Sequence, residues 1–159
     1  MRFKEQIYGS CFFVTTSFYE HRRYGDMTGV YETLSDSLIH YLDRYDALLP
    51  GYVFMPSHLH LLIMIDGTRL AAFMRDFKKY LAQQSLPRCG IVDSHVWISG
   101  YDRQAVVSKH VFRTKLEYIH RNPQRAGLVQ SLDGWKWSSA SAYTKNNRTP
   151  VPVWTDWHF

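Results

Sequence analysis

The chain has 159 residues, 45% of them hydrophobic and 16% aromatic, which suits one compact domain with a proper core. Nineteen Lys and Arg against fourteen Asp and Glu give a net charge of +5, so a polyanion, nucleic acid first, is the expected partner. Cys11 and Cys89 are too few and too distant for a disulfide framework, no C-x-x-C pair marks a zinc ribbon or redox site, and no stretch is long enough to span a bilayer.

Met1 to Gln6 lead into a short apolar stretch interrupted by Thr15 and Thr16, too brief for a signal peptide, and a reducing cytoplasm is the expected home. Residues 8 to 18 are rich in β-branched and aromatic types and predict a first strand. After a loop at 21 to 25, Leu34, Leu38, Tyr41, Leu42, Tyr45 and Leu49 recur at helical spacing, predicting an amphipathic helix over 32–49 that Pro50-Gly51 stops. The apolar runs 52–55 and 59–65, parted by Pro56-Ser57-His58, read as an antiparallel hairpin.

Leu70, Phe73, Met74, Phe77, Tyr80 and Leu81 mark a second helix, with Arg75, Lys78 and Lys79 as an outward basic stripe. Pro87 to Gly90 breaks the chain, 96–101 predicts a fourth strand, and 107–122 a third helix stopped by Pro123. The stretch from about 130, rich in Trp and Ser, has no legible structure. This order predicts an α+β, ferredoxin-like βαββαβ antiparallel sheet, two helices on one face and a helix added at the C-terminal end, all in one domain.

His58 and His60 are two apart on a strand and therefore share one side of the sheet, where two imidazoles can share a metal ion. On the third helix Tyr118 and Asn122 are four apart and share a face with Lys115 and Val111, while Phe112, Leu116 and Ile119 form its core stripe. Tyr118 thus stands at the edge of the buried face, where packing can hold a phenol whose oxygen stays accessible.

His58-Leu-His60, together with Tyr118-Ile-His-Arg-Asn-Pro-Gln-Arg-Ala-Gly-Leu-Val129, resembles the single-tyrosine HUH transposases, and more closely their REP-associated branch. The resemblance runs from about Tyr8 to Tyr143, through Phe13-Val-Thr-Thr16, Tyr52-Val-Phe-Met-Pro56, Trp97, Tyr101-Asp102 and Trp137-Ser-Ser139. It implies a ferredoxin-like fold, Tyr118 as the nucleophile that attacks DNA, and a divalent ion on His58 and His60. The insertion-sequence branch has Gln four residues after its tyrosine; Asn122 stands there in this chain, as in the REP-associated branch, and is the implied third ligand.

Two neutral imidazoles and an amide oxygen leave positions open for phosphate oxygens and water, which favours Mg²⁺ or Mn²⁺. A free phenol has a pKa near ~10, so attack at neutral pH needs positive charge nearby, which Lys115 and the ion could supply. The expected output is a 5′-phosphotyrosine and a free 3′-hydroxyl, then rejoining, with no nucleotide cofactor. Single-stranded DNA beside a hairpin, notably a repetitive extragenic palindrome, is the implied substrate. Arg75, Lys78, Lys79, Arg103, Lys109, Lys115, Arg121 and Arg125 are candidates to line its backbone. Two other readings stand beside this one: a hairpin DNA or RNA binder without cleavage, and a metal-dependent hydrolase that activates water with Tyr118 structural. The sequence leaves monomer and homodimer open.

Overall fold

In β3 (His58–Met64) every residue after His58 is buried, because both faces of the sheet are covered. Side chains alternate along the strand. Leu59, Leu61 and Ile63 enter one apolar cluster, and Leu62 and Met64 enter another on the opposite face. A computed structural model describes residues 11–157 of the chain. It contains β1 (Cys11–Ser17), α1 (Val30–Arg44), β2 (Leu48–Phe54), β3, α2 (Leu70–Tyr80), β4 (Asp102–Ala105), α3 (Lys109–Arg125) and a short α4 (Ala140–Thr144). The start of the expected first strand, residues 8–10, and the amino-terminal segment 1–6 lie outside the described residues.

The strands form one antiparallel sheet in the order β2-β3-β1-β4, the interleaved order that a ferredoxin-like βαββαβ chain generates. Phe12, Val14, Tyr52 and Phe54 join Leu59, Leu61 and Ile63 against Leu34 and Leu38 of α1 and Phe73 and Phe77 of α2. On the other face Cys11, Val53, Leu62 and Met64 meet Phe112, Leu116 and Ile119 of α3. Each fully buried aliphatic or aromatic chain contributes roughly 1.5–3 kcal/mol, so the second cluster fixes α3 firmly. Among the described residues no helix is long and apolar enough to cross a membrane.

Several expected boundaries move, each for a local reason. The first helix ends at Arg44 rather than Leu49: Asp46 takes a left-handed φ of 52°, and the Ala47 amide closes the last turn on the Leu42 carbonyl at 2.9 Å. Leu48 to Gly51 therefore begin β2, and Pro50 sits where the β2–β3 register shifts, on an outer strand that tolerates a missing donor. The fourth strand is not 96–101 but Asp102–Ala105, wholly exposed. Trp97 makes only a single bridge to Phe18, on whose ring it stacks, and its indole donates to the Lys78 carbonyl at 3.0 Å. Side-chain packing wrote the apolar pattern there, while the backbone pairing falls to a polar segment. The third helix passes through Pro123 to Arg125, because a proline near the C-terminal end removes one hydrogen bond and the buried ring still packs.

The segment after 130 lies along the outer edge of β2. The Phe54 amide donates to Trp137, the Ser139 amide to Tyr52, and the Trp154 amide to Leu49, at 2.9, 3.0 and 3.0 Å. The Trp135 indole donates to the Phe54 carbonyl at 2.9 Å and the Tyr143 hydroxyl to the Pro50 carbonyl at 2.6 Å. An edge that would otherwise present open backbone groups is thereby covered.

At Gly51 an added Cβ would stand 2.6 Å from Leu116 Cδ1, so the absence of a side chain there lets α3 settle onto β2. Gly51→Ala is expected to lower unfolding stability by about 1–3 kcal/mol, measured by urea denaturation. The double variant with Leu116→Ala should cost less than the sum of the two single changes, since the second removes the clash; strict additivity would reject this account.

Candidate active site

Toward the His58 end of the sheet, the face beneath α3 changes from apolar to polar. Strand register places Thr15 opposite His60 and Ser17 opposite His58, and on its other side Thr15 faces Asp102 of β4. On the β2 side Val53, opposite His60, and Met55 stay apolar, so the polar floor lies along β3 and β1, while Leu62, Met64 and their partners anchor the helix beyond it.

Lys115, Tyr118, Asn122 and Arg125 recur every three or four residues and share one face of α3. The Tyr118 ring stands 5.4 Å from the His60 ring, edge-on at 76°, and the His58 and His60 rings are 4.8 Å apart. Asn122 Nδ2 is 3.5 Å from His60 Nε2. Phe13 joins the two elements, stacked on His60 at 5.4 Å and edge-on to Tyr118 at 5.9 Å. The two histidines, the tyrosine and the asparagine expected from the sequence therefore meet at one place.

His60 is only 5% exposed, and burial first, then the neighbouring His58 and Lys115, pushes its pKa down to about 3. Burial, followed by His21, also lowers that of His58. Both rings are thus neutral at neutral pH and each keeps a lone pair for an electrophile. Tyr118 is 37% exposed, enough for a substrate to reach its oxygen. Lys115 Nζ lies 4.8 Å above the Phe13 ring and the Arg125 guanidinium 5.5 Å above that of Tyr118, so one cation stacks on the tyrosine and a second on its aromatic neighbour.

The other basic candidates are dispersed. Lys109 opens α3 and is exposed; Arg121 forms an exposed ion pair with Glu117 at 2.7 Å. Arg75, Lys78 and Lys79 are on α2, across the sheet from Tyr118. Arg75 pairs with Asp76 at 3.0 Å. Lys78 does not face outward as the stripe predicted: its ammonium donates to the carbonyls of Gly100 and Ile98 at 2.5 and 3.3 Å, and burial lowers its pKa to about 8. Arg103, opposite Val14, extends over the Phe12 ring at 6.0 Å, also away from Tyr118.

Two imidazole nitrogens and an amide oxygen are a donor set that fits a divalent ion. Neighbouring ligand atoms on an octahedral ion held at about 2.1 Å stand roughly 3 Å apart, and the Asn122 amide already lies 3.5 Å from His60 Nε2. A half-turn of the amide presents its oxygen there. Among the described residues no three His, Cys, Asp or Glu side chains are grouped to hold a metal ion, and the Asn122 amide is the polar side chain beside the two histidines that could complete such a set. Asp66, the acidic residue nearest in sequence, binds Thr68 beyond the far end of β3, six residues or about 20 Å from His60 at strand rise.

Four residues of this region had no role assigned from the sequence. Phe13 looks like any strand aromatic, and Thr15 and Ser57 gain meaning only from the strand register and turn that set their hydroxyls at 2.8 Å from His60 Nδ1 and 3.0 Å from His58 Nδ1. His120, buried on α3 beside Ile119, has its Nε2 2.7 Å from Ser139 Oγ, and that oxygen accepts the Tyr52 amide at 3.0 Å. It ties the helix to β2 and to the segment along its edge.

No protein-family model matches the chain, and no curated protein matches it in sequence. Among solved structures it is similar to a REP-associated tyrosine transposase bound to a REP hairpin, with a TM-score of 0.72 and 19% identity over 95% of this chain and 89% of that one. A protein of Deinococcus radiodurans R1 provisionally described as a transposase aligns with a TM-score of 0.46 and 19% identity over 69% of this chain and 87% of that one. At this identity the first likeness establishes the fold.

Burial lowers the His120 pKa from 6.5 to about 4. Between those values the unfolded chain binds a proton that the folded chain does not. The group's contribution is therefore intact above pH 6.5 and is lost as pH falls toward 4, by up to about 3 kcal/mol. Urea unfolding across this range should show wild type declining more steeply than His120→Gln; parallel curves would refute the assignment.

Proposed function

We propose that the chain is a single-tyrosine DNA strand transferase of the REP-associated transposase type, cutting single-stranded DNA beside a hairpin and rejoining it through a 5′-phosphotyrosine. The observation that carries this reading is the meeting of Tyr118 with His58, His60 and Asn122, from a helix and a strand far apart in sequence. The fold shared with a transposase bound to a REP hairpin supports it, as does the net charge of +5.

The Tyr118 oxygen attacks phosphorus and its proton passes to solvent. The bond from phosphorus to the 3′-oxygen breaks, and that oxygen leaves with the bonding electrons and takes up a proton. One phosphodiester-like bond replaces another, so no nucleotide energy is consumed and an incoming 3′-hydroxyl can reverse the step to give a rejoined strand. Packing of Tyr118 against Phe13 and His60 limits the directions from which its oxygen can approach, which lowers the entropic part of the barrier. His58, His60 and the Asn122 amide oxygen would hold Mg²⁺ or Mn²⁺, which when bound supplies Lewis-acid neutralisation of the phosphate's charge. Lys115 and Arg125, on the face of α3 that carries Tyr118, would hold the scissile phosphate by its non-bridging oxygens.

Arg121, four residues before Arg125, extends this basic edge, while Lys109, nine residues before Tyr118, stands on the opposite side of α3. Arg75, Lys79 and Arg103, across the sheet, are left for the duplex stem, and Lys78 serves by holding the 98–100 turn.

Incubation with end-labelled hairpin DNA carrying a single-stranded flank, with Mn²⁺, should give a covalent protein–DNA adduct on denaturing gels. Tyr118→Phe should give none, and His60→Ala should form it at least about 10–100-fold more slowly. Cleavage retained in Tyr118→Phe would overturn the nucleophile in favour of activated water. Tight hairpin binding by wild type with no adduct would reduce the protein to a binding module.

A further inference from the structure

Both site histidines present the same ring atom to a hydroxyl. Thr15 Oγ1 lies 2.8 Å from His60 Nδ1 and Ser57 Oγ lies 3.0 Å from His58 Nδ1, which leaves only the two Nε2 atoms to face a ligand. We infer that Thr15 and Ser57 are positioning residues whose hydroxyls accept the Nδ1 protons of His60 and His58, fixing both rings as the tautomer with a free Nε2 lone pair. This rests on the reading above in one respect: the lone pairs matter because they are the ones an ion beside Tyr118 would take.

A hydroxyl can donate or accept, so the short contact alone fits either tautomer. Three further observations select one. In the orientation it takes here the Asn122 amide presents its nitrogen, a donor, 3.5 Å from His60 Nε2, which suits a lone pair there; the half-turn to the oxygen belongs to the state in which an ion takes that lone pair. Phe13 stacks on His60 at 14°, which holds the buried ring with Nδ1, and not the Cδ2 that a turned-over ring would present, toward the Thr15 hydroxyl. Thr15 is set by backbone pairing directly opposite His60, and its β-branched side chain has few rotamers, so the sheet itself places the oxygen. Ser57 sits in the β2–β3 turn on an unbranched side chain, and we assign it the weaker hold of the two.

The side chains of histidine ligands in metal sites commonly donate their second N–H to a protein oxygen, and loss of that partner typically weakens metal binding 10–100-fold. Here the partner of the more buried ring comes from the adjacent strand, in register, not from a carboxylate. Thr15→Val keeps the branched shape and removes the acceptor; Thr15→Ser keeps the acceptor.

The test uses the full chain with ¹⁵N-labelled histidine, free of metal and DNA. Long-range ¹H–¹⁵N spectra at neutral pH should show His60 of wild type and of Thr15→Ser protonated at Nδ1, and Thr15→Val as a mixture of tautomers. Mn²⁺ titration followed by electron paramagnetic resonance should weaken about 10–100-fold in Thr15→Val and recover in Thr15→Ser. Thermal unfolding of each variant separates this from a general loss of fold. Protonation of wild-type His60 at Nε2, or a Thr15→Val variant unchanged in both tautomer and Mn²⁺ affinity, would overturn the inference. Because the tautomer is read without DNA, a missing Tyr118 adduct alongside the expected spectra would reject the proposed function alone.

Discussion

Leu116 rests on Gly51, and the nearness of α3 to the sheet at that point governs everything above it. Tyr118 lies half a turn beyond Leu116 on the same helix, so any lift of α3 from β2 would be carried to the phenol. The buried seam of Phe112, Leu116 and Ile119 over Cys11, Val53, Leu62 and Met64 thus acts as the rigid mount for a side chain that is itself more than a third exposed. His120 strengthens the mount from the same turn, bonded near Ser139 where the C-terminal segment crosses β2.

The two ends of β3 perform opposite tasks with one alternating pattern. Leu62 and Met64 face α3 and exclude water; His58 and His60, on the same side of the same strand, face the gap where the helix presents polar residues. Because His60 is held neutral by burial and braced by Phe13 and Thr15, its position is settled before any ligand arrives. Such preorganisation spares the cost of ordering the site when a ligand binds.

The C-terminal segment shows how an apparently shapeless sequence can be structural. Trp135, Tyr143 and Trp154 each use a hydrogen bond to a carbonyl of β2, from side chain or backbone, and the Trp157 ring packs on Phe112 at 4.3 Å. The segment closes the open side of β2 and touches the cluster that seats α3. Its tryptophans therefore belong to the scaffold of the site, though none of them borders the Tyr118 phenol in the contacts described.

Much of this was legible in the residues, because it follows from local periodicity. The alternation of β3 put His58 and His60 on one side, the helical repeat put Tyr118, Asn122 and Lys115 on one face with Phe112, Leu116 and Ile119 on another, and the order of elements specified the ferredoxin-like sheet. Strand register, helix seating and edge coverage join residues dozens of positions apart, and no local period encodes them. Tertiary structure alone decided that Thr15 faces His60, that Phe13 links His60 to Tyr118, that Lys78 is turned in toward Gly100, and that pairing with β1 falls to Asp102–Ala105 instead of the apolar run before it. The division is physical: periodicity determines which side chains share a face, whereas which faces meet is set by the burial of the whole chain at once.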